Sequence, residues 1–127
     1  MSLPSNVHLL GPRSHEQLAD IVTGWKVGLI PFLDIPLTRS VDPNKIYEYF
    51  AWGLRCVTAP MGSVETYPST WVHRGVDEFV EKLDDALSTP WAPGEREAMV
   101  SFVQTSDWDD RAARLLSYYG ITTKGRD

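Results

Sequence analysis

The sequence predicts an α/β fold of three layers, with a mostly parallel sheet held between helices. Three observations predict it. Through the first two thirds of the 127 residues, short β-rich runs alternate with segments of helical period. One run, "WKVGLIPF" at 25–32, is almost continuously apolar, as a strand covered on both faces would be. The runs are separated by loops rich in Gly, Pro, Ser and Asp, and parallel strands so spaced demand right-handed helical crossovers.

Each element has its own local reason. "NVHLLG" (6–11) alternates and closes on glycine, so it reads as a short strand. Ser14 then caps a helix, with Gln17 completing a capping box and Leu18, Ile21 and Val22 forming its apolar stripe. Gly24 stops it. After the strand at 25–32 comes the loop "LDIPLTRSVD". Asp42 is the expected N-cap of the next helix and Pro43 its first residue; that helix runs to about 52 and ends at Gly53. "LRCVTA" (54–59) and "TWVHR" (70–74) are further strands, separated by the loop "PMGSVETYPS". Phe79, Val80, Leu83, Ala86 and Leu87 mark a helix in "DEFVEKLDDALS". "PWAPG" breaks the chain. "EREAMVSFVQ" is helical, and "SDWDDRAARLLSYYG" restarts a helix that ends at Gly120. Residues 6–120 are thus expected to form one domain, with 1–5 a flexible or expression-derived lead and 121–127 a frayed tail.

Composition bounds the function. Hydrophobic content of 43% and charged content of 23% are ordinary for a domain with a real core. A net charge of −5 and a pI near 5.1 speak against a general nucleic-acid binder, yet leave room for a small anion held by a few placed donors. Cys56 is the single cysteine, which excludes an internal disulfide and a Cys-rich zinc site; it reads as a buried strand residue. His8, His15 and His73 are separate, with no metal-binding spacing. The longest apolar stretch falls far short of a membrane span, and "MSLPSNVHLL" lacks the features of a signal peptide. Cytoplasmic residence is the expectation, with peripheral attachment at the inner membrane face open to a larger parent protein.

In parallel α/β sheets, ligands collect beyond the carboxyl ends of the strands. Here those ends are Gly11–Ser14, Phe32–Asp42, Pro60–Thr66 and Arg74–Asp77. The helix opening at Asp42 carries the most chemistry. Ile46, Tyr49, Phe50 and Gly53 share the face that packs on the sheet. Lys45 and Glu48 lie on the other, beside backbone N–H groups that attract phosphate. Lysine in a first turn opposes the helix dipole, at a cost of about 0.3–1 kcal/mol unless an anion compensates. Glu48 can accept two hydrogen bonds from a ribose diol. The plain reading is a surface ion pair at i,i+3. Asp42 as a cap would also compete with phosphate for the same donors.

The strings "NVHLLGPRSHEQL", "VGLIPF", "LTRSVDPNKIYEYFAWG", "LRCVTAP" and "SVETY" occur in this order. Together they resemble the carboxyl-terminal, nucleotide-sugar-binding half of bacterial GT-B glycosyltransferases of the family-1/family-4 kind, over residues 6 to 118. The resemblance implies a Rossmann-like domain that serves transfer of a sugar from a nucleoside diphosphate, UDP among the candidates, to a saccharide or lipid-linked acceptor in polysaccharide biosynthesis. It implies that Glu48 grips the ribose hydroxyls and that Lys45, with backbone at Pro43 and Asn44, faces the diphosphate. Arg39 would reach a phosphate, and the loop carrying Arg13 would flank the base. No metal or cofactor is expected, the nucleotide sugar being the substrate. Many relatives carry two glutamates spaced as Glu48 is from position 40; here Ser40 replaces the first. The family's acceptor half is absent, so this piece alone is expected to be inactive. Two central strands of the parent sheet are absent too. The gap is expected to close by direct pairing of 6–11 with 25–32, or by borrowing from a second copy in a homodimer.

Other readings compete. "DWD" (107–109) matches a metal-holding motif of the other large glycosyltransferase fold, but Ser106 with Asp109 reads as a capping box. Asp34 after a strand suits a phospho-accepting receiver, yet "LLGPR" lacks the acidic pair that class needs. A silent interaction module, its tryptophans Trp52, Trp71, Trp91 and Trp108 marking a partner surface, and a GT-B epimerase fragment are the remaining alternatives.

Overall fold

The computed structural model describes residues 3–121. What the sequence leads one to expect of residues 1–2 and 122–127 lies outside them. Three parallel strands, β1 (Val27–Ile30), β2 (Arg55–Thr58) and β3 (Thr70–Val72), form a sheet in the order β1-β2-β3. Five helices accompany it: α1 (His15–Ile21), α2 (Asn44–Ala51), α3 (Val76–Ser88), α4 (Glu95–Gln104) and α5 (Trp108–Tyr118). Helices lie on both sides of the sheet, so the fold is the α/β layering expected.

The strand period divides the layers. Gly28, Ile30 and Cys56 face α2, which brings Ile46 and Phe50 down on them and is backed by Met99 of α4. Cys56 is fully buried, and burial pushes its thiol pKa up to about 12. Gly28 is required by close approach: a Cβ there would overlap the ring of Tyr49, whose hydroxyl donates to the Leu29 carbonyl at 3.1 Å. Arg55 and Val57 point to the opposite face, toward α3.

Arg55 is the chief polar element of that face. Its side chain is 3% exposed and pairs with Glu95 through Nε at 2.9 Å and a second nitrogen at 3.0 Å. It also donates to the carbonyls of Ala86, Thr89 and Pro90, at the carboxyl end of α3, where a cation suits the helix dipole. Trp91 and Trp71 lie against the guanidinium at 4.1 and 5.3 Å. These two tryptophans are therefore packing partners; Trp108, by contrast, is 81% exposed.

The structure corrects several expectations. Residues 6–11 form no strand: Val7, Leu9 and Leu10 are exposed, and Val7 N–H donates back to the Pro4 carbonyl in a turn. An alternating run becomes a strand only where a neighbour completes its ladder, and no described strand pairs with it. Direct pairing of 6–11 with β1 is thus not the way the sheet closes; β1 remains an edge. Nor is β1 covered on both faces. α3 lies chiefly over β2 and β3, leaving Leu29 38% exposed. Ser106 does not cap α5: Asp107 does, its carboxylate accepting from Asp110 N–H at 2.8 Å, so the cap sits one residue later than predicted. The Ser14–Gln17 capping box of α1 is present as read.

Candidate functional site

Asp42 was expected to cap α2, and it does not. Pro43 is the N-cap residue, and among the described residues no side chain caps the helix start. Asp42 instead accepts from the Tyr47 hydroxyl at 2.8 and 3.0 Å, from Tyr67 at 3.0 Å and from Arg111 at 3.0 Å. Three convergent donors outcompete a cap that would satisfy one backbone N–H. Partial burial works against the charged carboxylate, but the bonds from Tyr47, Arg111 and Tyr67 outweigh it and hold the Asp42 pKa below its ordinary value. Burial first, then the bonds to Tyr67 and Asp42, raises the Tyr47 pKa. Arg111 also donates to Tyr47 at 2.7 Å and to the Ser106 carbonyl at 2.9 Å, which fixes the start of α5 against that of α2.

Between these two helix starts lies a cleft of about 340 Å³, lined by Asn44, Tyr47, Glu48, Asp107, Trp108 and Arg111 among others. Glu48 enters its wall with its side chain 26% exposed. Lys45 stands beside it, 57% exposed, and donates from Nζ to Glu48 Oε2 at 2.7 Å. Asn44 supplies the cleft's rim, while Pro43 is buried and its carbonyl accepts from Ile46 N–H at 3.1 Å. Pro43, Asn44, Lys45 and Glu48 are therefore together at one helix start.

Arg39 and Arg13 are not part of that group. Arg39 holds Asp34 in a two-point pair at 2.6 and 3.2 Å; that hydrogen bond is the main reason the Asp34 pKa is lowered. Arg13 is exposed and donates to the adjacent Pro12 carbonyl at 3.3 Å. Asp34 faces a different crevice, at the carboxyl ends of the strands.

The Asp42–Tyr47–Tyr67–Arg111 cluster was not anticipated. Its members are up to 69 residues apart, and only the five-residue offset of Tyr47 from Asp42 was available as a local signal. Among the described residues, no three His, Cys, Asp or Glu side chains are grouped to hold a metal, and no helix is long and apolar enough to cross a membrane.

No family model matches the chain, and no solved structure matches it. Among curated proteins it is 22% identical, over 121 residues, to the Bacillus subtilis (strain 168) protein named "Putative teichuronic acid biosynthesis glycosyltransferase TuaH". The alignment takes in 91% of this chain but 30% of that protein's length. The chain thus bears a distant likeness to one segment of a glycosyltransferase-like protein.

Proposed function

We propose that this domain is the donor-nucleotide-binding portion of a glycosyltransferase, one that moves a sugar from a nucleoside diphosphate to a saccharide or lipid-linked acceptor. The observation that carries the reading is the uncapped amino end of α2, with Lys45 and Glu48 at its rim. Because Asp42 is engaged elsewhere, the first N–H groups of α2 have no side-chain acceptor among the described residues. Those donors, with the Lys45 ammonium, suit a diphosphate and stabilise it as it departs. Glu48 keeps Oε1 clear of Lys45 and can accept from a ribose diol, with Asn44 at the same rim. Arg39 joins a phosphate only by leaving Asp34, and Arg13 reaches the base only by leaving its place in the separate loop before α1. The distant likeness to a named glycosyltransferase supports the class; transfer itself needs an acceptor side supplied elsewhere.

Ligand-observed NMR with UDP, GDP, ADP and inorganic phosphate tests this. One nucleoside diphosphate should bind in preference, and Lys45→Ala and Glu48→Ala should each weaken it by about tenfold, the loss of one charge-assisted bond. Equal, negligible binding of all four, or variants that bind as the parent does, refutes it. Such a result favours a silent interaction module, for which the Lys45–Glu48 pair is a surface ion pair only.

A further inference from the structure

The two helix starts that flank the α2 cleft carry opposite charge. α2 has no acid in its first turn, and Lys45 stands there. α5 is capped by Asp107 and continues with Asp109 and Asp110 in its first turn. The Asp107 carboxylate already accepts the Asp110 N–H at 2.8 Å, so it both occupies a donor and repels an anion. A phosphate is therefore admitted on the α2 side and refused on the α5 side.

What α5 offers the cleft is a ring. Trp108, its first residue, lines the cleft while 81% exposed. It is the most exposed of the chain's five tryptophans, with Trp25 next at 48%. A side chain of that size is ordinarily well buried. Its own chain gives the ring little to hold. The Arg111 guanidinium lies 5.6 Å from the ring centroid, near the outer limit of a useful cation–π contact, and is committed to Asp42, Tyr47 and the Ser106 carbonyl. The opposite wall carries Asn44 and Glu48, groups that bond hydroxyls. At about 340 Å³ the cleft lies in the range of small-molecule sites.

We infer that the Trp108 indole is the platform on which the nucleobase stacks. The donor then lies across the cleft, with its diphosphate at the start of α2, its ribose at Glu48 and its uncharged base against α5. The assignment rests on the nucleotide reading of this cleft. It supplies a base contact without Arg13, which stays bonded in the loop before α1. Base–aromatic stacking depends on a π-face rather than on a hydrogen-bond code, so Trp108 supplies affinity and orientation.

The test is protein-observed NMR on the whole chain, comparing UDP, GDP and ADP with inorganic pyrophosphate, which has no base. Trp108→Ala should weaken the preferred nucleoside diphosphate about tenfold and leave pyrophosphate affinity unchanged. Lys45→Ala should weaken both ligands. Trp108→Phe, which keeps a smaller ring, should retain part of the lost affinity. In the unmodified chain the Trp108 indole N–H resonance should move on adding the diphosphate, with nuclear Overhauser contacts between indole and base protons. The exposure of Trp108 means that truncation should leave the fold intact. If Lys45 and Glu48 matter but Trp108→Ala binds the diphosphate as the parent does, or loses pyrophosphate equally, the Trp108 assignment alone is overturned. If none of the three diphosphates binds, the nucleotide reading itself is overturned, and this inference with it.

Discussion

Replacing Arg55 tests the packing argument most severely. The guanidinium makes five hydrogen bonds, two to Glu95 and three to carbonyls that end α3, so its donor capacity is fully used. Arg55→Ala leaves Glu95 charged, 14% exposed and without its cation, and strands those carbonyls. Breaking a buried pair from one side costs about 3–5 kcal/mol. For a domain whose total stability is about 5–15 kcal/mol, that is a large fraction. Arg55→Lys keeps the charge but has three donors and no planar fork, so about 1–3 kcal/mol should be lost. Acid should diminish the difference. The Arg55 bond is the first cause holding the Glu95 pKa below its ordinary value of 4.5. A depressed folded-state pKa adds stability that is complete above the unfolded value and is lost as pH falls through the folded one. Urea unfolding followed by tryptophan fluorescence should therefore show the gap between wild type and Glu95→Gln narrowing from neutral pH to about pH 3. A loss under about 1 kcal/mol for Arg55→Ala, or a gap unchanged across that pH range, would refute the assignment of Arg55 as a buried structural cation.

Further outcomes follow from particular contacts. Asp42→Asn should cost about 1 kcal/mol, a figure kept low because the side chain is 37% exposed, and its effect should fade as pH drops through the depressed Asp42 pKa; urea midpoints at neutral and acid pH measure both. Gly28→Ala should destabilise by about 1–3 kcal/mol, since its methyl group displaces Tyr49 from the sheet, and thermal unfolding reads this directly. The Cys56 thiol should resist a disulfide reagent at mildly alkaline pH in the native protein and react at once in urea, because burial holds its pKa near 12; fast labelling of the native state would contradict its placement in the core.

What could be read in advance was whatever local chemistry decides alone. The apolar periods of α2 and α3, the Ser14–Gln17 box, the helix-ending glycine at 53 and the three paired strands all follow from short-range rules. The errors at residues 6–11 and at Asp42 share one cause, dependence on partners distant in sequence. Val7 to Leu10 alternate as a strand should, but a strand is a property of two chains and the described residues supply no second one. Asp42 has the right identity for a cap but meets Tyr67 and Arg111, which no local window contains. The role of Arg55, one charged residue in an otherwise apolar strand, is legible only once α3's carboxyl end and Glu95 are seen around it.

The diversion of Asp42 bears directly on the proposed site. A carboxylate cap at α2 would both occupy its first N–H groups and repel a diphosphate, so the sequence read locally argues against itself at residues 42–48. The tyrosine and arginine donors resolve that conflict by engaging the carboxylate and pairing its charge with Arg111. The same arginine joins α5 to α2 and lines the cleft that Glu48 faces. Arg111→Met should therefore act twice. It should lower stability by about 1 kcal/mol, consistent with a partly exposed pair. It should also weaken nucleoside diphosphate binding although the residue is not at the α2 start, because the unneutralised Asp42 then opposes the anion. Asp42→Asn in the Arg111→Met background should restore part of that binding. If the double variant binds no better than Arg111→Met alone, Asp42 has no electrostatic hold on the cleft, and the link between the cluster and the site is broken.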